Sequence, residues 1–458
     1  MIIASLKKIT EMCNGKLNDK SYENIKITGV STDTRTIEKN NLFVPIVGEH
    51  FDGNDYIDKA FEKGASASLL SNFVFKSCNF PLIEVEDTTE AFLLLAENYR
   101  KGLSLEAVGI TGTNGKTTTK DLIYSIMSTT FRTQKTEKNY NNYIGLSHTV
   151  LNLNEDTQVA VIEMGTERFG EIDRLSKVVS PKMGILTNVG DCHLLELKNK
   201  DNVCEAKLEM LAGIKKDGIF LYNGDDETIL KHIKEKSFSQ KLLSFGFNED
   251  NDYVIKVLNS DNSGSKFLLN DEEFFIPFMG KHQIYNAAAA VIAGKVFNVA
   301  VENIKAGLVS AKLTDMRNEL IKVKDFSILN DAYKSNPQSL EAALDILSDI
   351  SGYSKKIAVL GDMLGLDEKE AEFHRNAGKK IDKDKIDMIF TIGNLGLEIG
   401  NGAVEAGFDE RKVKNFKDIE SLYEELKNHI IENSIILVKA SRYLYLENLV
   451  EKLKEFEI

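Results

Sequence analysis

The sequence predicts an α/β protein of three domains, and three observations carry that reading. At 458 residues the chain has room for about three domains, each able to bury its own core. Apolar strand-like runs alternate with helical patterns after residue 104 and again after residue 314, as in parallel sheets wrapped by helices. The first of those runs ends in a glycine-bearing turn that opens a helix, Thr111-Gly112-Thr113-Asn114-Gly115-Lys116-Thr117-Thr118-Thr119. The expected bounds are 1–103, 104–313 and 314–458.

The first segment mixes short strands with helical stretches at Ile57 to Lys63 and Thr89 to Lys101. In the second, Leu105 to Ile110 reads as a buried strand and Leu122, Ile123, Ile126 and Met127 carry a helix. Val159 to Met164, Met183 to Val189 and Gly218 to Tyr222 read as further strands, with helices at Gly170 to Val179 and Asp201 to Leu211. Tyr253 to Phe278 reads as hairpins with Asn-, Asp- and Gly-rich turns. Two helices follow, His282 to Phe297 and Val301 to Ser310. In the third segment Ile357 to Leu360, Met388 to Ile392 and Ile435 to Val438 are strand cores between helices, a second doubly wound pattern. No internal repeat and no low-complexity linker interrupts the chain.

A strand, a glycine turn and a helix N-terminus build an anion cradle from converging N–H groups and the helix dipole. Lys116 can reach the outer phosphates of a nucleotide there, and Thr117 or Thr118 can offer a hydroxyl to Mg²⁺. Ile110 stands where the strict P-loop spacing wants glycine. A GTPase reading fails, because Asn199-Lys200-Asp201-Asn202 places its aspartate one residue early for N-K-x-D.

Lys and Arg total 57 against 70 Asp and Glu, a net charge of −13. That balance argues against a dedicated nucleic-acid binder, which needs a basic face, but not against a nucleotide substrate. Cys13, Cys78, Cys192 and Cys204 lack C-x-x-C spacing and read as free thiols in a reducing compartment. The first residues lack a signal peptide's apolar core, and no apolar run has the length of a membrane span. A soluble, cytoplasmic chain is expected.

Glu163 ends a strand beside the phosphate turn, where α/β proteins bind ligands, and could hold Mg²⁺; a surface glutamate is the plainer reading. Thr187-Asn188-Val189-Gly190-Asp191-Cys192-His193 forms a polar cluster able to hold a second metal or position a phosphate, although a lone His193 reads first as a structural hydrogen-bonder. Lys207, between Glu205 and Glu209 on an amphipathic helix, reads as an ordinary exposed lysine. Asn330 to Pro337 follows a strand and places a proline in a first helical turn.

In this order, TGTNGKTTT, EMG, TNVGDCH, EAKLEM, GKHQIYNAAAA, NDAYKSNP and KASR resemble the ATP-dependent Mur ligases of peptidoglycan synthesis, over essentially the whole chain. VSTDTR and LFVPIVGEHFDGNDYIDKAFEKGA resemble that family's uridine-binding domain. Asn139 to Gly145, EMGTERFGEIDRLSKVVSPKMGILTNVG and NDAYKSNPQSL resemble the branch that adds D-alanyl-D-alanine to UDP-N-acetylmuramoyl-tripeptide. The D-N-P-R motif of the diaminopimelate- or lysine-adding branch does not occur. The chain departs from the family at Ala440, usually glycine, and at Lys334, commonly asparagine.

The resemblance implies a small α/β uridine-binding N-terminal domain, a central ATP-binding domain with a P-loop-like parallel sheet, and a Rossmann-like C-terminal domain. It implies ATP, two Mg²⁺ ions and a CO₂-derived carbamate on Lys207, with an acyl phosphate as intermediate. Lys116, Lys207, His193 and Glu163 become the catalytic set, and Thr117, Glu163, His193 and the Lys207 carbamate the metal ligands. ATP would lie on Gly112, Thr113, Asn114, Gly115, Lys116, Thr117, Thr118, Asn286, Arg317 and Asp331. The UDP substrate falls to Ser31, Thr32, Asp33, Arg35, Asn141, Asn142 and Thr166, and the dipeptide side to Tyr333, Asn336, Ser441 and Arg442. A monomer is expected, without nucleic acid or membrane insertion. The competing readings are another amino-acid-adding or folylpolyglutamate-synthase-like ligase, and a non-catalytic nucleotide-binding homologue.

Overall fold

The structure, a computed structural model, describes residues 1–71, 79–314 and 316–457. Cys78 lies outside them; Cys13, Cys192 and Cys204 are free and buried.

Near the N-terminus a five-stranded sheet runs in the order Lys16–Leu17, Leu82–Glu84, Ala67–Leu70, Leu42–Phe43 and Val30–Ser31. Only its first pair is antiparallel. The helix Thr88–Lys101 starts at Asp87, whose carboxylate accepts from the Glu90 N–H and so satisfies one orphan donor of the first turn.

The second sheet has nine strands, in the order Glu272–Ile276, Gly264–Leu269, Tyr253–Asp261, Lys241–Gly246, Ile219–Asn223, Met183–Leu186, Glu106–Thr111, Val159–Glu163 and Thr133–Lys135. From Tyr253–Asp261 onward every pair is parallel, and the first two pairs form the expected hairpins. Burial on both faces explains the nearly unbroken apolar runs. One face packs with the N-terminal segment through Phe92, Leu146, Ile162 and Leu186. The other packs under the helices Lys116–Ser128, Lys281–Val296 and Val301–Ser310, through Val108, Ile110, Val161 and Ile185. The alanines 287–290 let the helix Lys281–Val296 approach closely, and all four are fully buried.

The third sheet orders Glu319–Lys322, Ser327–Asn330, Ser434–Lys439, Lys355–Gly361, Met388–Ile392 and Val413–Phe416, parallel except at its first pair. Separate apolar clusters cover its two faces. Element ends moved in two instructive places. The strand expected to reach Val189 stops at Leu186, because Thr187 and Asn188 turn their hydrogen bonds toward the phosphate turn. The helix expected to run to Leu211 ends at Leu208 and tightens into a 3₁₀ turn, Glu209–Ala212.

Candidate active site

The strand Glu106–Thr111 lies between Val159–Glu163 and Met183–Leu186. Successive strands depart from it in opposite directions, which opens a crevice at its C-terminal end. Ile110 is still inside that strand, paired with Glu163 and Ile185. The turn therefore begins later than in the strict P-loop pattern, and the glycine that counts is Gly112. Its φ is +149°, and a Cβ there would stand 1.9 Å from the Thr187 hydroxyl. Gly115 has φ +80°, and a Cβ there would meet the Asn286 carboxamide oxygen at 2.3 Å. Only glycine meets both demands without strain.

The strand end Thr187–Asn188 braces the turn. The Asn188 carboxamide accepts from the Asn114 N–H (2.9 Å) and donates to the Asn114 carbonyl (3.0 Å), while the Thr187 hydroxyl donates to the same carbonyl (2.6 Å). Thr113 accepts from the Gly190 N–H at 2.9 Å. Lys116 donates to the Gly112 and Thr113 carbonyls at 2.7 and 3.0 Å. Burial pushes its pKa down to about 7; the Lys207 and Lys334 charges add to that, and Glu163 opposes it.

Glu163 is buried and accepts from the Thr117 hydroxyl (2.9 Å) and the Asn141 carboxamide (2.8 Å). The surface-glutamate reading is thus overturned. So is that of an exposed Lys207, which is only 2% exposed. Lys207 lies four residues after Val203 and three before Met210, both fully buried, so it shares their inward face. Among the described residues its ammonium has no hydrogen bond or ion pair, and burial lowers its pKa. His193 opens the short helix Leu194–Leu197 from a left-handed conformation (φ +52°). Burial, aided by Lys334, Lys207 and Lys116, lowers its pKa to about 3, leaving a neutral ring at ordinary pH.

From the third segment come Arg317, whose guanidinium lies 4.4 Å from the centre of the Tyr333 ring, and Arg442, 5.3 Å from the same ring. Asp331 is buried, accepting from Lys439 (2.5 Å) and the Asn318 N–H (3.2 Å). Asn286 accepts from the Thr119 hydroxyl at 3.2 Å. The Ser441 hydroxyl accepts from the Leu364 N–H at 3.0 Å.

These groups share one cleft of about 830 Å³. The residues from Gly112 to Thr118 line it together with Asn141, Asn142, Glu163, Thr166, His193, Lys207 and Asn286; Arg317, Asp331, Tyr333, Ser441 and Arg442 line it from the third segment. Ser31, Thr32, Asp33 and Arg35 are not among its walls. Arg35 hydrogen-bonds Asp33 and holds that carboxyl at about 2. Ser31 donates to the Asp33 carbonyl (2.9 Å), and Thr32 bonds His148 (3.1 Å) on the helix Tyr143–Leu151 that Asn142 caps. Asn336 stands behind the cleft wall, exchanging amide hydrogen bonds with Asn114 at 2.8 and 3.2 Å.

Among the residues of the site to which the sequence reading gave no role are Asp226 and Lys439. Asp226 accepts from the Val189 N–H (2.8 Å) and caps the helix Glu227–Glu235, so it steadies the brace; its signal was an acidic cap just after a strand. Lys439 stood inside the KASR block, closing a buried strand, with no role assigned to it.

Among described residues no three His, Cys, Asp or Glu side chains group to hold a metal. The Glu163 carboxylate and Thr117 hydroxyl nevertheless fit Mg²⁺, which takes few protein oxygens and completes its shell with phosphate and water.

Comparison with known proteins agrees with this geometry. The Mur ligase middle domain matches residues 110–294, the Mur ligase glutamate ligase domain 316–442, and the Mur ligase family catalytic domain 26–100. The UDP-N-acetylmuramoyl-tripeptide–D-alanyl-D-alanine ligase of Bacillus subtilis (strain 168) is 40% identical over 99% of both chains. The ligase of that name from Escherichia coli (strain K12) is 31% identical over 99% of both. A crystal structure of MurF from Acinetobacter baumannii superposes with a TM-score of 0.91 at 27% identity, each chain fully covered. MurF from Thermotoga maritima in complex with ADP gives 0.82 at 26% identity, covering 93% of this chain and 97% of that one. With relatives of this identity matching from end to end, the chain belongs to the Mur ligase family.

Proposed function

We propose that this chain joins D-alanyl-D-alanine to UDP-N-acetylmuramoyl-tripeptide at the expense of ATP, giving the pentapeptide precursor, ADP and phosphate. One observation carries the reading: Lys116, Glu163, His193 and Lys207 lie in the same cleft as Asp331, Tyr333, Ser441 and Arg442 from the third segment. A phosphate turn facing a second wall of cationic and aromatic groups suits a carboxylate activated by ATP and then met by an amine. The names and whole-length identity of the relatives favour this substrate pair over single amino acids.

In this reading residues 1–103 hold the uridine end through Ser31, Thr32, Asp33 and Arg35, with Asn141, Asn142 and Thr166 further along the substrate. Residues 104–313 hold ATP, and 314–458 bring the dipeptide through Tyr333, Ser441 and Arg442, with Asn336 holding that wall to the phosphate turn. The turn's N–H groups and Lys116 take the phosphates, while Asn286, Arg317 and Asp331 take the nucleoside end. A terminal carboxylate oxygen of the tripeptide bonds to the γ-phosphorus as the bond to ADP breaks. The dipeptide nitrogen then bonds to the acyl carbon, phosphate leaves with its oxygen, and the nitrogen loses its proton. Repulsion between carboxylate and phosphate is the first obstacle, so a preorganised cationic cleft supplies most of the effect.

Mg²⁺, held by Thr117 and Glu163 with a second ion on His193 and a Lys207 carbamate, would neutralise phosphate charge. Lys207 suits that modification: a buried ammonium without a partner is costly, and capture of CO₂ removes its charge. Tyr333, Arg442 and Ser441 cover the reacting end from the third segment and keep water from a hydrolysable intermediate. The protein would act as a cytoplasmic monomer, needing neither nucleic acid nor membrane. Phosphate release measured with each substrate omitted in turn tests the proposal. It requires all three substrates; release that proceeds with a single amino acid in place of the dipeptide would point to a sibling activity, and no release at all to a binding protein.

A further inference from the structure

Lys334 is a cation that the mechanism above leaves unused. Its backbone is fixed from two sides. Lys439 donates to the Lys334 carbonyl (2.9 Å) while pairing with Asp331. Two residues on, Asn336 exchanges hydrogen bonds with Asn114 of the phosphate turn. The side chain is exposed yet lines the same cleft as Lys116, Glu163, His193 and Lys207. Among the described residues its ammonium makes no hydrogen bond or ion pair, although many other surface lysines here have a carboxylate partner. It faces the same space as Lys116 and Lys207 from the second segment and Arg317 and Arg442 from its own. Like charges facing one cleft repel, and an anion between them relieves the repulsion.

We infer that Lys334 binds the terminal phosphoryl group of ATP, supplying from the third segment a second ammonium to the group that Lys116 approaches from the phosphate turn. Lys334 exchanges no proton: the carboxylate oxygen bonds to the γ-phosphorus, the bond to the ADP oxygen breaks with its electron pair, and the lysine neutralises the oxygens in between. Because Lys334 rides on the third segment, its contact exists only while that segment sits against the turn, so clamping and cleft closure coincide. The catalytic part of this inference rests on the ligase reading; the nucleotide-binding part does not.

The test uses the full chain with Mg²⁺ and the variants Lys334→Ala, Lys334→Gln and Lys334→Arg, each first checked for an unchanged melting temperature. Binding of ADP and of a non-hydrolysable ATP analogue is measured by calorimetry. The neutral variants should bind the analogue about tenfold more weakly and ADP as before, with Lys334→Arg close to wild type. Their turnover should fall by about ten- to a hundredfold, with KM for D-alanyl-D-alanine unchanged. Equal losses for ADP and analogue, no loss for either, or a rise confined to the dipeptide KM would each overturn the assignment. A wild-type chain that releases no phosphate would instead sink the ligase reading, leaving the binding comparison to decide on Lys334.

Discussion

Lys116 bends back onto two carbonyls of its own turn, so its ammonium stands over the phosphate cradle before any anion arrives. Lys116→Ala should therefore lower ATP-dependent phosphate release by at least about a hundredfold, the usual effect of removing one preorganised donor. Affinity for the UDP-tripeptide, measured by calorimetry without ATP, should hold, because Ser31, Thr32, Asp33 and Arg35 lie outside this cleft; retained turnover would sink the assignment. Lys207→Ala should also be inactive, but short carboxylates such as formate or acetate should restore part of the rate, standing in for a carbamate. Full activity without rescue would leave Lys207 a structural lysine. These two residues also mark how far the site was legible. Lys116, Thr117 and Glu163 could be found because a strand, a turn and a strand end bring them together locally. The burial of Lys207 could not: a helix with Glu205 and Glu209 beside it has two plausible outward faces, and only packing around Val203 and Met210 selects one. Asp226 and Lys439 were hidden for a related reason, since their partners Val189 and Asp331 lie 37 and 108 residues away.

At the scale of elements, the helix Pro337–Asp349 begins with a capping box: the Asn336 side chain accepts from the Ser339 N–H, the Ser339 hydroxyl accepts from the Asn336 N–H, and Pro337 takes the first helical position. The sequence announced that start, because asparagine followed by proline suits a cap and a first turn. It did not announce that the same carboxamide would also clasp Asn114 from the other sheet. Asn336→Ala removes both functions. Loss of the cap should cost about 1 kcal/mol of stability, visible as a small drop in melting temperature. Loss of the clasp should raise KM for ATP beyond what Ser339→Ala does, since Ser339 shares the box but does not touch Asn114. Equal effects of the two variants would mean that Asn336 is a helix cap and nothing more. Strand ends were the least legible feature of the elements. Thr187 and Asn188 have strand-like neighbours, and their departure from the ladder depends on a turn far earlier in the chain.

At the scale of the whole molecule, the second and third segments meet through polar joints. Asp121, fully buried on the helix after the phosphate turn, accepts from Lys135 (2.7 Å) and from both the N–H (2.9 Å) and hydroxyl (2.8 Å) of Thr314, where the third segment begins. Nearby, His282 bonds Asn318 at 3.2 Å, and burial with the Lys439 charge lowers its pKa to about 4. His374, fully buried, accepts from the Met363 N–H (2.7 Å) and donates to the Glu370 carbonyl (2.6 Å), so both ring nitrogens are satisfied in the neutral form, and burial lowers its pKa too. A histidine unfolded titrates near 6.5, so as pH falls below that value the unfolded chain takes up protons that the folded one refuses. The stabilisation is complete above about pH 6.5 and is lost as pH falls, for His282 down to about 4. Each such histidine contributes at most about 1.4 kcal/mol per pH unit in that window. Asp33, with its carboxyl near 2, titrates well below it. The melting temperature should therefore decline between pH 7 and pH 5, before strongly paired carboxylates titrate. Thermal melts at pH 7, 6 and 5 decide the matter: a midpoint that stays level over those two units would mean that His282 and His374 take up protons in the folded state as readily as in the unfolded chain, and that burial does not hold them neutral.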